Sequence, residues 1–338
     1  MSDIQAVAQA RHDDLDGIPP PAAQPGVVGH DAALGELMQA LDSGRMHHAW
    51  LLQGPPGIGK ATLAFAFARH LLASTGEDPL AVRRQVAQAS HPRLIHVSRP
   101  LADKGGGFKT QITVDEIRRL MHFFHTTAGL GWRVAIVDPA DDMNRNAANA
   151  LLKILEEPPA RSLFLIVNHM PGRLLPTIRS RCRVLRLGEL PASAIADRLR
   201  QDVPDAADEE IAQASTHAMG SMRTGFQNLI GGGADVNAQV RALFALSTPD
   251  WAGIQALADA VTVKGREASY GLMVRELFRA LGAESEAALA AGNLVAAERL
   301  AEFWQAENAR WREGEAYNLD RKQMLLTFFT GLAAARND

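Results

Sequence analysis

Leu51-Leu52-Gln53-Gly54-Pro55-Pro56-Gly57-Ile58-Gly59-Lys60-Ala61-Thr62 joins an apolar run of strand length to a segment of helical period through a glycine-rich turn. That is the context a phosphate-binding loop requires. Gly54, Gly57 and Gly59 let the backbone turn tightly, the N–H groups from Gly57 to Lys60 converge on phosphate oxygens, and Lys60 adds a cation at a helix N-terminus. One part is missing. The residue directly after the lysine should be Ser or Thr, to ligate magnesium, and here it is Ala61. Thr62 does not replace it, because one step along a helix turns a side chain by about 100°. The loop therefore reads as one that keeps its shape without supporting hydrolysis, with ATP or ADP bound without turnover left open.

The same alternation continues outward. The runs 49–52, 94–97, 134–137 and 163–167 are short and almost wholly apolar, as strands buried on both faces should be. Helical periods fall at 31–43, 60–73, 113–125 and 144–156, the last stopped by Pro158 and Pro159. Strands alternating with helices predict a parallel sheet in an α/β P-loop core over 25–188. Beyond Pro191 the strands vanish, and two helical segments are expected, 189–236 and 237–338, with Gly231-Gly232-Gly233 as the candidate linker. Residues 1–24, rich in Ala, Gln and Pro, are expected to form a mobile tail.

A second acidic element tests the loop. Arg133-Val134-Ala135-Ile136-Val137-Asp138 keeps the aspartate that holds a metal's water shell in ATPases of this type. The next position, where a glutamate would polarise the attacking water, is Pro139. Asp141 and Asp142 lie further along and carry no assignment from spacing alone. Losing both the metal hydroxyl and the base argues against a hydrolase.

With 35 Lys plus Arg against 38 Asp plus Glu, the net charge of −3 excludes a field that would draw the whole chain onto nucleic acid or an acidic membrane. No stretch approaches the length of a membrane helix, and the first residues lack a signal-peptide pattern, so the chain reads as cytoplasmic. The single cysteine, Cys182, excludes an internal disulfide and a four-cysteine zinc module; no zinc is expected. Without an evident activating neighbour, Cys182 reads as a small packed residue. His47-His48, His91, and His122 with His125 lack companion ligands and read as ordinary histidines. Phe303, Trp304, Trp311, Phe328 and Phe329 read as packing a helical bundle or a subunit interface rather than stacking on bases.

Two further segments carry a resemblance. Asn144-Arg145-Asn146-Ala147-Ala148-Asn149-Ala150-Leu151-Leu152-Lys153-Ile154-Leu155-Glu156-Glu157-Pro158-Pro159, followed by Leu174-Leu175-Pro176-Thr177-Ile178-Arg179-Ser180-Arg181-Cys182, resembles the bacterial clamp-loader AAA+ subunits of DNA polymerase III. Ala61 and Pro139 place it with the delta-prime kind, whose nucleotide chemistry is eroded, rather than with the gamma/tau ATPases. The resemblance implies an AAA+ core, a helical lid over 189–236 and a C-terminal collar over 237–338. It implies partnership with gamma/tau and delta subunits, the sliding clamp and primed DNA. It also implies that Arg181 is an arginine finger acting in trans on a neighbour's γ-phosphate, a role that suits guanidinium geometry. By the same resemblance Asn168 occupies a polar sensor position and Arg223, in Gly220-Ser221-Met222-Arg223, a second sensor. The alternative is an autonomous ATPase of the gamma/tau kind, using Lys60 and Asp138.

Overall fold

The computed structural model describes residues 11–338 except 16, 103–106, 126–130, 231, 232, 247, 264, 265, 318 and 338. It divides into two compact units, one containing residues up to Asp202 with Ala218–Arg223, the other Val203–His217 with Thr224 onward.

In the first unit the elements run α1 (Asp31–Asp42), β1 (Ala49–Gln53), α2 (Lys60–Ala73), α3 (Pro79–Ala87), β2 (Leu94–Val97), α4 (Val114–His125), β3 (Arg133–Val137), α5 (Arg145–Glu156), β4 (Ser162–Asn168), α6 (Pro176–Arg179), β5 (Arg183–Arg186) and α7 (Ala192–Asp202). The strands form one parallel sheet in the order β2-β3-β4-β1-β5. Because side chains alternate across a strand, each apolar run feeds two cores. Trp50, Leu52, Ile136, Leu165 and Val167 pack with Leu63, Phe67 and Leu71 of α2 on one face. Leu51, Val137, Phe164 and Ile166 pack with Phe124 of α4 and Leu151 of α5 on the other. This double burial explains the unbroken hydrophobic runs. α5 starts where Asn144 caps it, its side chain accepting from Ala147 N at 2.9 Å, and ends before the Pro pair.

The expected strands and helices of the α/β core are present, with three additions, α3, the one-turn α6 and β5. α3 and the edge strand β5 escaped the periodicity reading, because β5 is a four-residue strand with an arginine at each end. The expected tail also differs. Between Arg11 and Gln24 it is tied down at points, with both of these end residues buried: Arg69 donates to Ala22 O at 2.9 Å and Gln24 O at 3.0 Å, and Gln24 accepts from Arg198. Polar anchoring holds a segment whose apolar content alone would not. The run Gly105-Gly106-Gly107 reads from its sequence as an exposed loop, and of it only Gly107 lies within the described residues.

The second unit is helical: α8 (Asp208–Thr216), most of α9 (Met222–Ile230), α10 (Gly233–Phe244), α11 (Trp251–Val261), α12 (Glu267–Ala290), α13 (Leu294–Ala316) and α14 (Arg321–Asn337). The expected lid segment 189–236 is thus divided between the two units. Of its linker glycines, Gly231 and Gly232 lie outside the described residues and Gly233 opens α10. α12 and α13 turn back on each other at Gly292, φ 78°, a left-handed conformation that favours glycine. Trp304 Nε1 donates to Phe278 O at 3.2 Å across this hairpin. Phe328, fully buried, is ringed by Phe244, Phe278, Phe303, Trp311 and Phe329. Among the described residues, no helix is long and apolar enough to cross a membrane.

Candidate nucleotide site

The carboxyl ends of β1, β3 and β4 form the edge where ligands bind in parallel α/β sheets. Gln53, Asp138 and Asn168 lie at or just past these ends. The loop after β1 takes the expected turn, with Gly57 at φ 77° and Gly59 at φ 104°, and α2 begins at Lys60. His30 Nε2 bonds Ile58 O at 2.8 Å and braces the loop from the start of α1. A Cβ added at Gly57 would lie 2.2 Å from Ser221 Oγ and 2.8 Å from Arg223 Cβ. Arg223 N donates to Gly57 O at 3.1 Å, so Arg223 is anchored directly on the loop.

Lys60 is buried and folded back onto its own loop. Its Nζ donates to Gly54 O at 2.7 Å and to Pro55 O. Burial pushes its pKa down to about 8, against the pull of Asp138 and Asp141. Ala61 and Thr62 follow on α2, one apolar and one hydroxyl side chain a helical step apart.

Asp138 is 3% exposed and forms an ion pair with the Arg11 guanidinium. His96 Nε2 is 3.9 Å away. Burial alone would raise the Asp138 pKa, but Arg11, His96 and His169 outweigh it and hold the carboxyl well below its usual range. Burial lowers both histidines, which favours their neutral forms. Asn168 is fully buried, accepts from Gln53 Nε2 at 3.1 Å and donates to Asp141 Oδ1 at 2.8 Å. Asp141 also accepts from His169 N at 2.6 Å and Met170 N at 2.7 Å. Asp142 instead takes Arg99 through two guanidinium nitrogens. Neither aspartate stands in for the missing glutamate.

Arg181 is placed apart from this group, in the turn between α6 and β5. It is half-buried, with Nη2 2.8 Å from Glu156 Oε1 and Nη1 donating to Thr177 O at 3.0 Å. Arg183, two residues on, pairs with Glu36 and lies over the Trp50 ring, a structural placement. Burial pushes the Cys182 thiol up to about 12, which leaves it inert as a nucleophile.

Residues 29–191 match the family described as DNA polymerase III, delta subunit. Over 165 residues the chain is 42% identical to the DNA polymerase III delta-prime subunit of Pseudomonas aeruginosa, covering 47% of this chain and 48% of that one. Over this segment the chain resembles a delta-prime subunit. It is also 32% identical over 264 residues to the gamma/tau subunit of Mycobacterium bovis, covering 74% of this chain and 45% of that one. The chain thus spans about half the length of the curated relatives it matches. A solved gamma subunit-related protein of Thermotoga maritima, 17% identical, superposes with a TM-score of 0.51 over 90% of this chain and all of its own. That likeness shows the fold, an α/β core built on a parallel sheet followed by a helical region.

Against this delta-prime resemblance, the residues present do not fit a magnesium-bound nucleotide. Ala61 offers no ligand, Asp138 is paired with an arginine, Lys60 with carbonyls, and Asn168 with Gln53 and Asp141. Gly54, Gly57, Gly59, Lys60, Asp138 and Asn168 belong to one compact unit, and Arg223, from the segment expected as a separate lid, belongs to it too. Arg11, Asp13, His96 and His169 were not expected; only the charge run Arg11-His12-Asp13-Asp14 could have drawn attention to two of them. Among the described residues, no group of three or more His, Cys, Asp or Glu side chains gathers as metal ligands.

Proposed function

We propose that the chain is a delta-prime-like subunit of a DNA polymerase III clamp loader, hydrolysing no ATP itself and offering Arg181 to a neighbouring ATPase subunit. Its partners are then gamma/tau and delta subunits, the sliding clamp and primed DNA, in the cytoplasm, with no zinc held by this chain. The observation that carries this is the Arg11–Asp138 ion pair, which leaves the metal-holding carboxylate neutralised in a chain that has Ala61 where the metal-binding hydroxyl would be. Arg181, by contrast, is partly exposed and is held by an ion pair with the exposed Glu156, the Thr177 carbonyl and the Ser180 hydroxyl. Such a pair is worth about 0–1 kcal/mol, so the guanidinium is cheaply released to another phosphate.

The test is ATP hydrolysis by a reconstituted delta, gamma/tau and delta-prime assembly, with this chain or its Arg181→Ala form after equal assembly is confirmed. Turnover at the served site should fall on the order of 10³-fold. An unchanged rate at every site would leave Arg181 a surface residue.

The 264-residue likeness to gamma/tau favours a second reading, an autonomous ATPase. It requires magnesium-dependent turnover by the isolated chain, abolished by Lys60→Ala. Absence of turnover rejects it.

A further inference from the structure

A working P-loop site places charges in a fixed order: acidic-strand carboxylate, metal cation, phosphate, arginine. The same order of signs is present here without a ligand. Asp138 pairs with Arg11; Arg11 Nε is 3.3 Å from Asp13 Oδ1; Asp13 Oδ2 is 3.2 Å from Arg223 Nη1. We propose that the segment Arg11–Asp14 is a built-in occupant of the degenerate nucleotide site, Arg11 standing where the cation would neutralise Asp138 and Asp13 where a phosphate would meet Arg223.

Three features make this more than a surface contact. Asp138 and the Arg11 side chain are both nearly sealed from solvent, 4% and 7% exposed. A carboxylate so placed needs a compensating positive charge, and the loss of the magnesium-binding hydroxyl at Ala61 removes part of what would hold a metal there. The segment is also folded for the task. Arg11 N donates to Asp14 Oδ2 at 2.7 Å and Asp14 N to Arg11 O at 3.2 Å, a tight turn that presents both Arg11 and Asp13 inward. Finally, the loop is closed against the same arginine, through the Arg223 N to Gly57 O bond.

Nucleotide would therefore have to displace the segment, so the subunit holds one conformation whatever the nucleotide concentration. Arg181 takes no part in this, so failure of the competition below leaves its action in trans untouched, and the reverse.

The experiment is isothermal titration of the full chain with ADP and with ATP, with and without magnesium, comparing the parent with Asp13→Ala and with the Arg11→Ala/Asp13→Ala pair. Asp13 is the more exposed of the two, so its single variant keeps the test usable should the pair fail to fold. The parent should show no saturable binding up to about 1 mM, and the variants should bind ADP at least about tenfold tighter. Equal binding by parent and variants would overturn the proposal, as would no binding by a folded variant.

Discussion

Asn168 Nδ2 and Asp141 Oδ1 are 2.8 Å apart at the end of β4, and the same carboxylate caps the backbone N–H groups of His169 and Met170. Asn168 is thus committed to holding the strand end in shape. Asp141 is the acceptor for three donors that converge from one strand exit, a role its place in the sequence does not announce.

Asp141→Ala should therefore be expensive. It removes an acceptor from the buried Asn168 amide, which keeps only the Met170 carbonyl at 3.2 Å for its Nδ2, and from two backbone donors, with an expected loss of about 2 kcal/mol. Urea denaturation would read this directly. A change below about 0.5 kcal/mol would mean that solvent satisfies these groups and the network is incidental.

Acid should weaken the Arg11–Asp138 pair with a defined sign. The carboxyl is held below its ordinary 3.8 in the folded chain, so near and below that pH the unfolded chain binds more protons than the folded one. The stabilisation is then complete above about pH 5 and fades on acidification below about pH 4. Asp138→Asn should be destabilised at pH 6, and the gap to the parent should narrow by pH 3 in denaturant midpoints. A gap independent of pH would show that the charge on Asp138 does not contribute.

Much of this molecule was legible in its residues, and the division follows range. The strands from Ala49, Leu94, Arg133 and Ser162 announce themselves because burial on both faces leaves local apolar runs. The loop was legible through Gly57, Gly59 and Lys60, whose roles are set by neighbours in sequence. The partners of Asp138 were not, since Arg11 is 127 residues away and nothing periodic links an arginine before a proline run to the end of a strand. Asn168 was singled out by its place after an apolar run, but its partners depend on parallel pairing of β1 and β4, which sets Gln53 opposite it. β5 was missed because an edge strand carrying arginines has lost the apolar signal that marks the central ones.

Lys60 predicts the opposite slope from Asp138. Its pKa of about 8 lies below the 10.5 of an ordinary lysine, so between these values the unfolded chain holds the extra proton and stability rises with pH. The gain across that window is on the order of 2–3 kcal/mol. Lys60→Met abolishes it. Tyrosines and other groups titrating there are common to both chains, so the difference in denaturant midpoints between pH 8 and pH 10 isolates the lysine. Parallel curves for parent and variant would show that Lys60 is solvated.

Phe328 tests the helical unit separately from the sheet. It is fully buried, and its ring centroid lies 5.4–6.2 Å from those of Phe303, Phe329, Trp311, Phe278 and Phe244. Truncation to alanine removes these contacts and opens a cavity, with an expected loss of about 3–5 kcal/mol, whereas Phe328→Leu keeps most of the volume and should lose less than half as much. Because the chain forms two compact units, the damage should be local. Hydrogen exchange resolved by peptide would show faster exchange in α12, α13 and α14, with β1, β3 and β4 unchanged. Equal acceleration in the strands would mean that the two units unfold as one, and that the aromatic cluster stabilises the sheet as well as the bundle.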